Sequence, residues 1–349
     1  MKKLLDMTIE ELKEFASEIG EKPFRGKQIY LWLQRGVRDF NDMTDLSKEV
    51  RQKLQNGLLR GDCAIGGCLV ADVQKDASDG TIKFLMQMDS SEPEYVESVF
   101  MKYKYGNTLC VSSQIGCRMG CRFCASALGG FVRNLSAGEM LGQVLAAEQY
   151  TGEIINHIVV MGMGEPFDNY ENVAAFLRLL HHETGKNISY RNMTVSTSGI
   201  IPGIKKFAVD FPQANLAISL HRLTEEGRSE IMPINGKYPL EKLLEAAGDY
   251  TEATHRRITF EYTLIQGEND SAEDVALMIK KLGGLLCHVN LIPLNKVEET
   301  GFNGSSRKRA EEIAETLEKS GIAATVRREL GGEIDGACGQ LRLKSQRKR

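Results

Sequence analysis

Three cysteines lie within eight consecutive positions of the sequence, at Cys117, Cys121 and Cys124. Their Cys-x3-Cys-x2-Cys spacing allows one short irregular loop to place three thiolates around a compact inorganic centre. A [4Fe–4S] cluster with complete protein coordination takes four such ligands. The loop supplies three, so one iron would stay open to another ligand, like the open position of a catalytic zinc site. The spacing therefore predicts a three-thiolate [4Fe–4S] cluster with an open, reactive iron.

A zinc site is the main alternative for these cysteines. Zinc would need a fourth Cys or His ligand close to the other three. The nearest downstream histidine is His157, and no cysteine follows Cys124 before Cys287. The local sequence favours the cluster, and zinc remains the second interpretation.

Three further motifs come directly after predicted strands. In residues 161–166, glycines permit close approach of the backbone to a ligand, and Glu165 offers a carboxylate that can receive an ammonium group. Residues 196–199 offer hydroxyl groups suited to a ribose, and residues 219–221 end with a histidine. Ordinary strand-ending turns are the alternative interpretation, and a single histidine at a strand end is more often structural than a ligand.

Three other residues could carry chemistry outside these motifs. Glycines flank Cys338, which is typical of an exposed, nucleophilic thiol, although a buried small hydrophobic residue is the alternative. Cys110 lies in a predicted strand and by itself would be a core residue. Glu97 lies in another predicted strand among apolar neighbours, and by itself would be a solvated strand glutamate.

The elements that must position these residues alternate regularly after residue 95. Strands are predicted at 108–113, 157–161, 193–197, 215–220, 258–264, 288–292 and 323–327. Helices are predicted around 136–150, 170–182, 200–209, 240–252, 271–282 and 306–320. Repeated βα units imply parallel strands, so we expect an α/β fold with an incomplete, TIM-like (β/α)6 barrel, and a doubly wound sheet is the alternative. In such barrels the active residues lie at the carboxyl ends of the strands.

Residues 1–94 are predicted to form a small accessory domain of helices and a short β element, and this domain could contact RNA. A catalytic domain is predicted over residues 95–349. Thr8 and Glu11 form a capping-box pattern at the start of the first helix. Two further helices are predicted, one from about residue 21 to Gly36 and one over 46–58, before two short strands around an Asp79-Gly80 turn.

Composition indicates a cytoplasmic globular protein. The 349 residues are 42% hydrophobic and 26% charged. No apolar run approaches the ~20 residues that cross a bilayer, and no signal-type segment opens the chain. Eight cysteines in a reducing compartment favour metal-binding or catalytic thiols over structural disulfides. The net charge of −3 means that an RNA partner would have to meet local basic patches, such as residues 342–349.

The motifs together resemble the RlmN-type RNA adenine methyltransferases of the radical SAM superfamily, from about residue 22 to residue 341. The resemblance implies that the open iron binds S-adenosylmethionine (SAM) and that reductive cleavage yields a 5′-deoxyadenosyl radical. It implies a role for each matching residue. The cluster ligands would be Cys117, Cys121 and Cys124, and the SAM-binding residues would be Gly164, Glu165, Ser196, Ser219, Leu220, His221 and Asn295.

The resemblance also assigns the remaining groups. Cys338 would become S-methylcysteine, Cys110 would resolve the product through a transient disulfide with Cys338, and Glu97 would accept the proton. The sequence departs from the family pattern at Gly336, where alanine is common. The implied substrates are adenine C2 in 23S rRNA and in tRNA beside the anticodon, with a monomeric enzyme and an electron donor such as flavodoxin with its reductase.

Two alternatives remain from the sequence. A Cfr-type relative would methylate adenine C8, although residues 133–135 and 164–166 resemble the RlmN branch more closely. A non-catalytic RNA-binding protein with a structural metal loop is the alternative from another class.

Overall fold

The computed structural model describes residues 1–90, 92–294, 301–328 and 334. Its strands are β1 (Lys2–Lys3), β2 (Cys63–Ala64), β3 (Cys68–Lys75), β4 (Ile82–Met88), β5 (Tyr95–Tyr103), β6 (Gly106–Cys110), β7 (Gln114–Gly116), β8 (Phe131–Asn134), β9 (His157–Val160), β10 (Met193–Thr197), β11 (Asn215–Ser219), β12 (Ile258–Leu264), β13 (Cys287–Pro293) and β14 (Ala323–Val326). Its helices are α1 (Ile9–Glu18), α2 (Phe24–Gln34), α3 (Lys48–Arg60), α4 (Ala125–Leu128), α5 (Ala137–Thr151), α6 (Tyr170–His181), α7 (Ile201–Asp210), α8 (Glu225–Ile231), α9 (Leu240–Thr254), α10 (Ala272–Leu282) and α11 (Arg307–Lys319).

One ten-stranded mixed sheet organises the chain, in the order β14-β13-β12-β11-β10-β9-β6-β5-β4-β3. Strands β6 and β9 to β14 are parallel, and six helical connections join them in sequence. Their spatial order follows chain order without reversal, whereas a doubly wound sheet reverses at a switch point. Within the described residues β14 and β3 are the sheet edges. The predicted βα architecture with an open sheet is therefore confirmed.

The amino-terminal helices form as their caps predict. The Glu11 N–H donates to Thr8 Oγ1 at 3.3 Å, and the Thr8 N–H donates to Glu11 Oε2 at 2.7 Å. This reciprocal arrangement satisfies two otherwise unpaired donors at the start of α1. A Cβ on Gly26 would lie 2.4 Å from the Leu12 carbonyl carbon, so α2 packs directly on the α1 backbone.

Helix α5 connects the amino-terminal region to the sheet. A Cβ on Gly142 would lie 2.8 Å from the Gly67 Cα, so glycine permits this close packing. The Lys3 ammonium lies 3.1 Å from Glu139 Oε1.

Strands β4 and β5 are paired across residue 94, and the sheet is continuous there. The division into domains at residues 1–94 and 95–349 stays a prediction.

The α-helices in the described ranges are between 4 and 15 residues long. None of them combines the length and apolar character that a membrane crossing requires.

Candidate functional site

The cysteine loop follows β7 and lies inside the β7–β8 hairpin. Its three thiols are half-buried. The Cys117 N–H donates to the Gly130 carbonyl at 3.1 Å, and the Cys124 N–H donates to the Cys121 carbonyl at 3.2 Å. Main-chain hydrogen bonds therefore shape both ends of the loop.

Gly116 lets β7 and β8 approach closely where the loop begins. Its φ of +76° lies in the left-handed region, which residues with a Cβ rarely adopt. A Cβ on Gly116 would lie 1.6 Å from the Gly130 carbonyl oxygen. No side chain fits in that space, so glycine is required for the hairpin that presents Cys117.

Polar contacts attach the loop to segments that follow neighbouring strands. The Arg122 N–H donates to the Ile231 carbonyl at 3.0 Å. The Arg118 Nε lies 2.9 Å from Asp168 Oδ2, and its guanidinium carbon lies 3.8 Å from the Phe131 ring centroid. Because the Arg118 side chain is half exposed, this pair orients the loop more than it stabilises the fold.

The loop fits a group held by three thiolates. Burial raises the pKa of Cys117 to about 12 and also raises the pKa of Cys121, and the neighbouring Cys124 sulfur raises both further. A bound metal reverses this effect, because coordination deprotonates a thiol. In the described ranges no three His, Cys, Asp or Glu side chains converge as a single metal ion requires. A [4Fe–4S] cluster needs no such convergence, since each thiolate binds a different iron.

Residues 161–166 pack against the segment that leads into the cysteine loop. The Gly162 N–H donates to the Val111 carbonyl at 3.0 Å, and the Ser113 N–H donates to the Met163 carbonyl at 2.8 Å. The glycine–glutamate motif and the cysteine loop are therefore parts of one hydrogen-bonded unit.

Gly164 and Glu165 both contact Gln114 of β7. Gly164 has a φ of +106°, and a Cβ on it would lie 2.6 Å from the Gln114 Cβ. The Glu165 N–H donates to Gln114 Oε1 at 2.8 Å. Glycine at position 164 therefore permits close packing against a protein side chain, and the expected approach to a ligand stays a prediction.

The Glu165 carboxylate is buried and has several hydrogen-bond donors. Its Oε1 accepts from the Thr197 hydroxyl at 2.7 Å and from the Phe167 N–H at 3.0 Å, and its Oε2 accepts from the Ser198 N–H at 2.7 Å. Burial raises the pKa of Glu165, while these hydrogen bonds act in the opposite direction. The donors fix both oxygens beside the end of β10.

Strand register places four of the predicted site residues on one face of the sheet. Glu97 and Val99 are two residues apart on β5, and Val99 pairs with Cys110 of β6. The register continues through Val159 of β9 to Thr194 of β10. Because paired residues share a face and positions i and i+2 do too, Glu97, Cys110 and Ser196 lie on the same face.

The same face continues through the later strands. Ser196 pairs with Ala217, so Ser219 of β11 also lies on it. Ser219 pairs with Glu261 of β12, and Glu261 pairs with Asn290 of β13. We call the face that bears Glu97, Cys110, Ser196, Ser219 and Glu261 the polar face.

Glu97 is buried on the polar face and forms an ion pair there. The Lys83 Nζ lies 2.9 Å from Glu97 Oε2, and their side chains are 1% and 2% exposed. The Ser112 hydroxyl donates to the Glu97 carbonyl at 2.6 Å. Glu97 is therefore adjacent to the segment that connects Cys110 to the cysteine loop.

His221 contacts the cysteine loop from the end of β11. Its ring and the Phe123 ring are edge-to-face with centroids 4.7 Å apart. The Thr263 N–H donates to His221 Nδ1 at 3.0 Å. Burial, and secondarily the Arg228 charge, lowers the pKa of His221 to about 3, so the ring is neutral at physiological pH. The preceding Leu220 is buried, and its N–H donates to the Glu261 carbonyl at 3.0 Å.

Two predicted residues cannot be located relative to this site. Asn295 and Cys338 lie outside the described residues, and so does a disulfide between Cys110 and Cys338.

The sequence analysis did not identify three charged residues near the site. Lys83 pairs with Glu97, and Glu261 accepts from the Asn290 amide at 2.8 Å on the polar face. Arg228 of α8 is completely buried beside the ends of β10 and β11. Lys83 and Glu261 are single charged residues within the otherwise apolar strands β4 and β12, and this pattern could have indicated buried charges. Arg228 lies in a polar helix, whose sequence is typical of a solvated surface.

Comparisons with known proteins agree with this arrangement. Residues 2–58 match the model of the ribosomal RNA large subunit methyltransferase N-terminal domain, and residues 111–279 match that of the radical SAM superfamily. A crystal structure of a radical SAM methyltransferase from Sphaerobacter thermophilus has a TM-score of 0.91 and 40% identity, covering 97% of this chain and 99% of that one.

Curated relatives cover almost the entire chain. A probable dual-specificity RNA methyltransferase RlmN from Clostridium perfringens (strain SM101 / Type A) is 48% identical over 98% of this chain and 97% of its own length. The protein of the same name from Caldanaerobacter subterraneus subsp. tengcongensis is 48% identical over 99% of this chain and 98% of its own. At this identity and coverage, the chain belongs to the RlmN family of dual-specificity RNA methyltransferases, within the radical SAM superfamily.

Proposed function

We propose that this protein methylates carbon 2 of adenine in 23S rRNA and in tRNA by radical SAM chemistry. One observation carries the proposal most directly: Glu97, Cys110, Ser196 and Ser219 share the polar face, and the cysteine loop begins seven residues after Cys110, between the strands that bear Cys110 and Ser196. The names of the relatives, dual-specificity RNA methyltransferases, support RNA as the substrate.

The cysteine loop would hold a [4Fe–4S] cluster through Cys117, Cys121 and Cys124. The strand-end residues would hold SAM, and these are Gly164, Glu165, Ser196, Ser219, Leu220, His221 and Asn295. When bound together and given one electron by an external donor, the two cofactors would supply a 5′-deoxyadenosyl radical and methionine, and this radical can remove a hydrogen atom from a methyl group. The neutral His221 ring, packed on Phe123, would help to keep the adenosyl pocket dry.

The chain's thiols would carry the methyl carbon. Adenine C2 is electron-poor, so it cannot attack the electrophilic methyl group of SAM directly. Cys338 would therefore accept a methyl group from a first SAM and later deliver its carbon to C2. Cys110 would then form a disulfide with Cys338, which releases the methylated base, and external thiols would reduce that disulfide.

Glu97 would accept the proton that leaves C2. It lies on the polar face with Cys110, and its ion pair with Lys83 holds the carboxylate in one position. A general base must be within hydrogen-bond reach of the proton that it removes, and a carboxylate held in one position would support such a role if the adenine binds beside it.

The RNA target would be an unpaired adenine, since a base edge inside a duplex is inaccessible. The basic residues 342–349 and the amino-terminal region are candidates for RNA contact. A monomeric, cytoplasmic enzyme with flavodoxin and its reductase as the electron source completes the proposal.

Mass spectrometry of nucleosides from 23S rRNA and tRNA tests the proposal, using cells with and without the gene. We expect 2-methyladenosine to disappear from both RNAs without the gene. If the gene-dependent nucleoside is 8-methyladenosine instead, the protein has the Cfr-type activity and the assignment is overturned. Anaerobically purified protein without iron, unable to cleave SAM, would support a non-catalytic RNA-binding protein.

A further inference from the structure

Arg228 is a completely buried charge beside the cysteine loop. Its side chain is 0% exposed, on a helix whose last residue, Ile231, accepts a hydrogen bond from the loop through Arg122. Arg122 immediately follows Cys121, so this hydrogen bond holds the helix of Arg228 against the loop beside that thiol. Burial lowers the pKa of Arg228 to about 10, so its guanidinium stays protonated at neutral pH.

The hydrogen bonds of Arg228 go to neutral acceptors. Its Nη2 donates to the Ser198 carbonyl at 2.7 Å and to the Ser219 carbonyl at 3.2 Å, and its Nη1 donates to Asn235 Oδ1 at 3.0 Å. Its Nε has no hydrogen-bond partner among the described residues. A buried charge is costly unless an opposite charge compensates it, and carbonyl dipoles compensate only in part.

The Glu225 carboxylate, at the start of the same helix, compensates part of this charge, and a cluster held by the cysteine loop would add further negative charge on the side of Cys121. Thiolate ligands are anionic, and Cys121 is the predicted ligand that interacts with Arg228. When one electron from an external donor enters the cluster, its net negative charge rises by one unit. A fixed positive charge nearby then stabilises the reduced form more than the oxidised form, and strongly so away from water.

We propose that Arg228 is a positioning residue that raises the reduction potential of the cluster and thereby favours electron uptake. This inference rests on the cluster proposed above. A purely structural role is the competing explanation, because Arg228 also joins the ends of β10 and β11 through the carbonyls of Ser198 and Ser219.

Two substitutions separate charge from structure. Arg228→Gln and Arg228→Lys both lose the forked guanidinium, but only Arg228→Lys keeps the positive charge. Arg256→Gln is the matched control, because Arg256 is an arginine that donates to Asn215 Oδ1 at the opposite, amino-terminal end of the sheet.

The full-length proteins would be reconstituted anaerobically, assayed for iron and titrated with dithionite while the reduced cluster is followed by EPR. We expect Arg228→Gln to lower the midpoint potential by about 59 mV, a tenfold weaker one-electron reduction. Arg228→Lys should shift it by less than half as much, and Arg256→Gln should match wild type.

Other outcomes would decide against the inference. Equal shifts in the Gln and Lys variants, or no shift in either, would overturn it. If Arg228→Gln fails to take up iron, normal uptake by Arg228→Lys would support the charge role, and failure of both would indicate a structural bridge only. Wild-type protein that binds no iron would instead contradict the proposed function.

Discussion

The ammonium nitrogen of Lys83 lies 2.9 Å from an oxygen of Glu97, and water reaches almost none of either side chain. The two residues come from neighbouring antiparallel strands, β4 and β5, on the polar face. A buried ion pair adds little net stability over an apolar pair, but loss of one partner leaves an uncompensated charge. The pair is therefore sensitive to single substitutions.

We predict that Lys83→Met destabilises the apoprotein by about 3–5 kcal/mol, because the Glu97 carboxylate stays buried without its ammonium partner. The double variant Lys83→Met/Glu97→Gln should recover most of this loss, since no charge remains. Urea unfolding followed by circular dichroism measures both. Equal stability of the single and double variants would contradict the coupling.

Glu97→Gln should separate radical formation from product formation. The amide keeps the shape of the side chain but cannot accept the C2 proton, and general-base catalysis contributes about 10²–10⁴-fold. We expect 5′-deoxyadenosine formation to persist while 2-methyladenosine formation falls by at least about 10²-fold. Because Glu97→Gln also leaves Lys83 without its carboxylate partner, the assay is restricted to folded, iron-loaded protein. Loss of both products together in that protein would argue against a role confined to proton removal.

Substitution of Cys338 and of Cys110, the two thiols with assigned roles outside the cluster loop, should block the reaction at different steps. Cys338→Ala should bind iron normally but transfer no methyl group. Cys110→Ala should accumulate a covalent RNA–protein adduct, visible on a denaturing gel as a band that nuclease removes. Cys63→Ala is the control, because Cys63 is a buried core residue whose thiol donates to the Leu54 carbonyl and has no assigned chemical role. Normal turnover by Cys110→Ala would exclude its resolving role.

The cysteine hairpin should tolerate a methyl group on one glycine and not on the other. Gly116 and Gly130 both have positive φ values, +76° and +63°. A Cβ would collide with backbone at Gly116 but would meet nothing within 4 Å at Gly130. We expect Gly130→Ala to cost about 1–2 kcal/mol and retain iron, whereas Gly116→Ala loses iron binding. Iron analysis and urea unfolding distinguish these results.

His221 should make stability depend on pH. Its pKa falls from 6.5 to about 3 on folding, so the unfolded chain binds more protons between these values. The contribution is complete above pH 6.5 and is lost as pH falls towards 3. At about pH 5 the loss amounts to about 2 kcal/mol.

The variant His221→Asn tests this pH dependence, and His255→Asn is its matched control. His221 and His255 both have positive φ, which asparagine tolerates, but His255 is exposed. The difference in unfolding free energy of the apoprotein between about pH 7.5 and about pH 5 should shrink by about 2 kcal/mol in His221→Asn. His255→Asn should behave as wild type, and a similar change in both variants would refute the assignment.

Local signals predicted the elements and the cysteine loop well. The Thr8–Glu11 cap and the alternation of strands with helices depend on nearby residues, so the sequence reveals them directly. The Lys83–Glu97 pair depends on the register between two strands, and the burial of Arg228 depends on three segments that meet only in the folded chain. Neither has a local pattern, because long-range packing creates both.

The backbone contacts of the cysteine loop bear on how the protein acquires metal. The carbonyl groups of Gly130 and Ile231 accept hydrogen bonds from main-chain N–H groups of the loop, and these bonds need no metal ligand. Small zinc domains, in contrast, fold only when their ion arrives. Because protein atoms alone make these contacts, we expect the cysteine loop to keep its shape in protein that has not yet received iron and sulfide.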